Sequence, residues 1–363
     1  MRKLDFSLVS RITERCDLKC KYCYLDSKQN KDMSIDIAEE LIKQFLQTND
    51  NFAHFTWVGG EPLLKDDSFF EQIIEVSKRH NPKQIPISHS IQTNGLSLSS
   101  ERLKRLKNMG FKIGVSYDGC SDIQEIQRTN KKNSNRILKN IQDANKEVGI
   151  ITVLTKHSVN KVEEIYEFLR ENTTFARVNF YAPTGMGLEH EEDLLPSKEE
   201  AKKMLLGFYE LWKNDDSSLE LKPHKEIVRS FFTGFPINCE YSAVSCYRIF
   251  GADTSGDIYT CSRALHIPEM RLGNIQEGLK NIIGLDRHQQ VLKRYLELKQ
   301  KTTDQWFFLS SGGCLIEAYS HTGDFMNSTY YCGEVRNALF DKINEDLKNE
   351  QTRNRLEKKV GLI

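Results

Sequence analysis

Short runs rich in β-branched and aromatic residues alternate with amphipathic, charged stretches through the first half of the chain. Leu4–Ile12, Phe52–Val58, Pro86–Thr93, Lys112–Tyr117, Ile150–Leu154 and Arg177–Tyr181 predict strands. Between them, Ile35–Gln47, Ser68–Arg79, Ser100–Asn108, Ser134–Glu147 and Val162–Glu171 repeat apolar residues at helical spacing. Ser34 and Ser100 stand where N-caps belong. Such alternation builds a parallel sheet from βα units. Six repeats predict an α/β fold with a partial (β/α)6 TIM-like barrel rather than a full eight-fold one.

The pattern changes after Pro183. Ser197–Asn214 and His224–Phe232 predict helices, and from Phe235 to Cys332 the chain is rich in Gly, Cys and aromatic residues. Only Leu285–Leu298 shows clear helical periodicity there, and Val335–Val360 predicts a charged helical tail. The expected organisation is a barrel over 1–183, a helical bridge over 184–234, a cysteine-bearing domain over 235–334 and a C-terminal helix over 335–363. Loop-rich segments of this kind are commonly ordered by metal.

Composition narrows the chemistry. Among 363 residues, Lys+Arg and Asp+Glu both total 51, so no basic field argues for nucleic acid. No stretch approaches the roughly 20 apolar residues of a membrane span, and no signal-peptide core opens the chain. A cytoplasmic protein is expected, whose nine cysteines serve metal or catalysis rather than disulfides.

Three of them form Cys16-x-x-x-Cys20-x-x-Cys23. Three thiolates are one short of full ligation of a cubane iron–sulfur cluster, which leaves an open iron. The triplet also allows zinc with a remote ligand such as His54, or buried thiols without metal. The predicted layout puts the triplet at the carboxyl end of the first strand. Gly59-Gly60-Glu61-Pro62, Gln92-Thr93-Asn94-Gly95 and Ser116-Tyr117-Asp118-Gly119 follow the next three. Barrels build active sites on that rim. Turn chemistry explains each dipeptide singly, but not their joint placement.

On these motifs the chain resembles the radical S-adenosylmethionine (SAM) enzymes that carry a C-terminal SPASM domain. The resemblance implies that Cys16, Cys20 and Cys23 bind a 4Fe–4S cluster whose open iron chelates SAM. Reductive cleavage then yields a 5′-deoxyadenosyl radical that abstracts a substrate hydrogen. It further implies that Gly59, Gly60, Glu61 and Pro62 hold the SAM amino group and that Tyr22 covers the cluster. Gln92, Asn94 and Ser116 become cofactor contacts, and Arg128 pairs with the SAM carboxylate. Cys246-x(9)-Gly256-x(4)-Cys261 resembles the opening of a SPASM domain, and with Cys239 and Cys314 it matches the ligands of an auxiliary 4Fe–4S cluster. A further cluster would need cysteines where Lys301, Asp304 and Ser310 stand, so two clusters are expected. Cys332 and Cys120 are left over.

SPASM enzymes mostly act on peptides. Phe325-Met326-Asn327-Ser328-Thr329-Tyr330-Tyr331-Cys332 resembles a segment of maturases that join an aromatic ring to a nearby β-carbon in a ribosomally made precursor peptide, forming a cyclophane. The alternatives are a thioether (sactipeptide-type) maturase and a formylglycine-generating sulfatase maturase. Against the latter, Ser262 stands where those enzymes carry Asp. A metal-stabilised binding protein is the non-enzymatic reading. Asp118, His321 and Glu317 are candidate bases. A flavodoxin or ferredoxin is the expected electron donor. With the first strand starting at Leu4, no N-terminal leader-binding domain is expected, which leaves a sheet edge, the region Thr184–Asn238 or a separate leader-binding protein.

Overall fold

All six predicted strands form, with small shifts at their ends: β1 (Ser7–Arg11), β2 (Ala53–Val58), β3 (Ile87–Thr93), β4 (Phe111–Ser116), β5 (Gly149–Leu154) and β6 (Phe175–Phe180). The computed structural model describes residues 4–25 and 28–363. The six strands pair in chain order and all in parallel. Leu8, Phe55, Trp57, Ile91, Val115 and Ile150 are buried between sheet and helices, the arrangement that βα alternation requires.

The sheet is longer than six strands. β7 (Glu220–Lys222) adds in parallel beside β6, and β8 (Ile249–Ala252) adds in parallel beside β1. β9 (Asp257–Tyr259) and β10 (Arg271–Asn274) continue from β8 as antiparallel neighbours. The order is β10-β9-β8-β1-β2-β3-β4-β5-β6-β7. β7 is too short for its alternation to register in the sequence. β8 runs through Gly251, where a Cβ would lie 2.6 Å from backbone atoms of Cys261 and Ser262. The absent side chain lets the turn after Cys261 rest directly on the sheet.

Several helix boundaries differ from expectation. Ser99, not Ser100, caps Ser100–Asn108; its hydroxyl accepts from the Arg102 N–H at 3.2 Å while Ser100 is already helical. The helix expected over Ser134–Glu147 runs from Lys131 to Asp143. Asn130 caps it, and positive φ at Asn145 and Lys146 turns the chain out. Ser121–Gln127 and Leu315–Thr322 are helices that the pattern missed. The tail is two helices, Glu334–Asp346 and Glu350–Lys359, because Asn349 interrupts the first and caps the second. Ser34 caps its helix as expected. Among the described residues no helix is long and apolar enough to cross a membrane.

Candidate active site

The carboxyl ends of β1–β6 open onto one cavity of about 310 Å³, with Cys16, Cys20 and Cys23 in its wall. The cysteine loop is held by backbone bonds from three directions. Gly60 and Glu61 N–H groups donate to Thr13 and Arg15 carbonyls at 2.8 Å, Lys21 N–H to Gln127 at 2.7 Å, and Gly187 N–H to Cys23 at 2.9 Å. Burial pushes the Cys16 thiol up to about 11 and raises that of Cys20. Bound iron reverses this, because it takes the thiolate.

Ligand number and placement bear on the metal readings. Tetrahedral zinc with Zn–S bonds near 2.3 Å draws sulfurs to about 3.8 Å of one another. Among the described residues, the only three His, Cys, Asp or Glu ligand atoms within 4.8 Å of one another belong to Cys120, Asp122 and Glu164. Neither cysteine group forms such a trio; three thiols on one loop at the rim favour a cluster with one open iron. His54 sits near the start of β2, at the far end of the strand from the cavity, with Thr56 as its partner. Both carboxylates of the Cys120 trio already pair with Lys161, 3.4 Å from Asp122 and 2.7 Å from Glu164. Cys120 itself is a buried thiol.

Gly59 and Gly60 line the cavity. A Cβ on Gly60 would lie 2.2 Å from the Arg15 carbonyl oxygen, and one on Gly59 2.4 Å from that of Thr13. Glu61 and Pro62 do not line the cavity. The Glu61 carboxylate is fully buried and accepts from Leu63 N–H at 2.8 Å, Thr93 Oγ1 at 2.6 Å and Asn94 N–H at 2.6 Å. Burial pushes this carboxyl up to about 7 against those three donors. The side chain offered by resemblance to the SAM ammonium is therefore turned inward, where it ties the glycine turn to the end of β3. Glu61→Gln puts an amide N–H against at least one of these donors. The expected cost is about 1–3 kcal/mol of stability, read from urea unfolding.

Gln92, Asn94, Ser116, Tyr22 and Arg128 all line the cavity. Gln92 on β3 donates to Ser116 Oγ on β4 at 2.9 Å, and Asn94 donates to Asp17 at 2.7 Å. Arg128, 7% exposed, donates to the Tyr22 hydroxyl and lies 5.5 Å from its ring centroid. Its buried Nε has no hydrogen-bond partner. Arg128 nonetheless lines the cavity, and a guanidinium there is the group that a carboxylate pairs with. Three thiols, a pair of glycines and a guanidinium around one cavity fit a 4Fe–4S cluster with SAM.

Asp118 is fully buried behind that wall. It accepts from the Tyr22 hydroxyl at 2.8 Å, Gln127 Nε2 at 2.9 Å and Val153 N–H at 3.1 Å. It orients Tyr22 and is not placed to take a proton from anything in the cavity. Glu317 is also outside the wall, 3.3 Å from Arg336 in a buried pair. It lines a separate small cavity that shares Asn179, Phe180 and Arg263 with the main one. His321 stacks on Tyr330 at 4.8 Å, and burial pushes its imidazole down to about 4. None of the three candidate bases faces the cavity.

Cys239, Cys246, Cys261 and Cys314 lie close to one another, Cys261 directly preceding the wall residues Ser262 and Arg263. Burial, then the neighbouring charges of Cys239, Cys261 and Cys314, raise the Cys246 thiol. Cys332 stands apart, 3.6 Å from Arg336. The sequence reading missed Lys28, Asn179, Tyr181 and Arg263, all in the cavity wall. For Asn179 and Tyr181 there was a signal: alternate positions at the end of β6 point the same way.

A partial parallel barrel with a three-cysteine loop at its rim and a cradle for a small cofactor defines a cluster-dependent enzyme. Residues 10–169 match the family model of the radical SAM superfamily, so the chain carries a radical SAM domain. Enzymes of this superfamily use SAM and a 4Fe–4S cluster for radical chemistry, and so does this one. The cysteine-type anaerobic sulfatase-maturating enzyme of Clostridium perfringens (strain 13 / Type A) is 25% identical over 350 residues, covering 90% of this chain and 92% of that protein. Native anSMEcpe with bound AdoMet and Kp18Cys peptide superposes with a TM-score of 0.81 at 22% identity, covering 94% of this chain and 99% of that one. Streptococcus suis SuiB bound to precursor peptide SuiA gives a TM-score of 0.64 at 15% identity, covering 91% and 76%.

Proposed function

We propose that the chain is a peptide maturase that installs a crosslink, most simply a carbon–carbon bond between an aromatic ring and a nearby β-carbon of a ribosomally made precursor. The cluster and SAM, when bound, supply a 5′-deoxyadenosyl radical able to take a hydrogen atom from substrate. Cys16, Cys20 and Cys23 would ligate the cluster, and the Gly59–Gly60 turn, which lines the cavity beside the cysteine loop, would take the SAM amino group. Arg128 receives its carboxylate, held in place by Tyr22 and, through Tyr22, by Asp118. Gln92, Asn94 and Ser116 floor the cofactor end of the cavity. Asn179, Phe180, Tyr181 and Arg263 wall the end left for the peptide. Cys239, Cys246, Cys261 and Cys314 would hold an auxiliary 4Fe–4S cluster, which would supply one-electron redox capacity close to Arg263.

The observation that favours crosslinking is the charge of the wall. Among the described residues the cavity is lined by Lys28, Arg128 and Arg263 and by no Asp or Glu. Ser262 occupies the wall where a sulfatase maturase is expected to present its carboxylate. The second reading, formylglycine formation, draws support from the 25% identity along 90% of the chain. Co-expression with small open reading frames encoded nearby, followed by mass spectrometry, separates the two. A crosslink removes the mass of two hydrogens per site and leaves no aldehyde; formylglycine made from Cys also exchanges sulfur for oxygen, and formylglycine made from Ser, equal to a crosslink in mass change, is told apart by the reaction of its aldehyde with a hydrazide.

The assignment of Arg128 carries its own test. Arg128→Lys keeps the charge and loses the planar edge. SAM binding is expected to weaken about tenfold, roughly 1.4 kcal/mol, with iron content unchanged. Equal affinity in the variant removes Arg128 from the SAM site.

A further inference from the structure

Tyr331, in the segment Phe325–Cys332, is fully buried against the end of β6, its ring centroid 4.8 Å from that of Phe180. Its hydroxyl donates to the Tyr181 carbonyl at 2.9 Å. Tyr181 lines the cavity, and its own hydroxyl donates to the Gly187 carbonyl at 2.6 Å. The Gly187 N–H donates in turn to the Cys23 carbonyl at 2.9 Å, and Met186 N–H to that of Leu25 at 2.7 Å. A Cβ on Gly185 would fall 2.4 Å from the Tyr24 carbonyl oxygen, so this stretch lies directly on the cysteine loop. Its far end is anchored by Asp193, 2.9 Å from Lys21 and 3.1 Å from His157. Residues 185–194 therefore splint the loop that presents the three cysteines, and two buried tyrosine hydroxyls tie the splint to the C-terminal half.

We propose that Tyr331 and Tyr181 are positioning residues for the radical cluster. The series Tyr331 to Tyr181 to Gly187 to Cys23 sets the third cysteine ligand against the wall left for the peptide. The inference rests on the assignment of Cys16, Cys20 and Cys23 to that cluster. Because Tyr181 also lines the cavity, a peptide seated along β6 bears on the same series of bonds. Substrate occupancy and cluster-loop geometry are then linked through one side chain.

Tyr331→Phe and Tyr181→Phe each remove one oxygen and keep the ring. In the reconstituted full-length chain both are expected to retain the parental iron content. Both speed hydrogen exchange in peptides covering Cys16–Leu25 and residues 185–194. Both also shift the electron paramagnetic resonance signal of the reduced cluster with SAM, and weaken SAM binding about fivefold, the size of one net hydrogen bond. The bonds act in series, so the double variant is expected to lose no more than the Tyr181→Phe single. Tyr330→Phe, one residue away and outside the series, moves none of these. Unchanged exchange in the cysteine loop overturns the proposal. So does faster exchange with unaltered resonance and SAM affinity, or single effects that add in the double variant. Failure of the cluster assignment reads differently: Cys16→Ala in the parental background would then leave the iron count unchanged, while exchange still responds to the tyrosines.

Discussion

Replacing Cys20 with Ala is expected to lower the iron of the anaerobically reconstituted chain from about eight atoms to about four and to abolish SAM cleavage on reduction. Cys20 lies in the cavity wall, close to Arg128 and Cys23. Two remaining thiolates do not hold a cubane with an open iron. The fold should survive, since the loop is fastened by backbone bonds from Gly60, Glu61 and Gly187 rather than by the Cys20 sulfur. Cys261→Ala is the matched control: it should lose the same amount of iron from behind Arg263 yet still cleave SAM. Iron counts alone therefore do not distinguish the two clusters, but iron count with cleavage does. A Cys20→Ala chain that still makes 5′-deoxyadenosine places the radical chemistry elsewhere.

The strands and the rim were legible because both follow local rules. Period-two burial marks β1 to β6, and polar dipeptides at their carboxyl ends mark where a barrel opens. Local rules also explain what was missed. Glu61 resembles a cofactor contact in sequence, and only the fold shows Thr93 and Asn94 meeting its carboxylate. Asp118 and Glu317 have the right chemistry for a base, but Tyr22 faces the first from 96 residues away and Arg336 the second from another helix. Tyr181 and Tyr331 are 150 residues apart, and neither sits in a repeating pattern that announces the other. β8 escaped for a similar reason, being four residues long and recognisable only beside β1. Pairings across the sequence decide which wall a side chain joins, and periodicity is silent on them.

Gly60→Ala is expected to be the most damaging single-atom change at the site. The added Cβ would lie 2.2 Å from the Arg15 carbonyl oxygen, 2.6 Å from its carbon and 2.8 Å from the Glu14 carbonyl oxygen. All three are backbone atoms, so no side chain can swing away, and the strand-end turn must separate from the cysteine loop. That movement breaks the Gly60 N–H bond to Thr13 and the Glu61 N–H bond to Arg15, both 2.8 Å. Overpacking of this kind costs about 1–3 kcal/mol, and each broken bond adds about 1 kcal/mol. The functional loss should exceed the loss of stability, because the same turn faces the cavity and carries the Glu61 anchor to β3. Gly234→Ala serves as comparison: its Cβ meets nothing within 4 Å, and its cost is confined to backbone strain at φ 72°. The expected outcome is a Gly60→Ala chain that remains folded at low temperature, loses SAM binding and retains only the iron held by Cys239, Cys246, Cys261 and Cys314. Wild-type SAM affinity in that variant would show that the cofactor does not depend on the turn between β2 and Glu61.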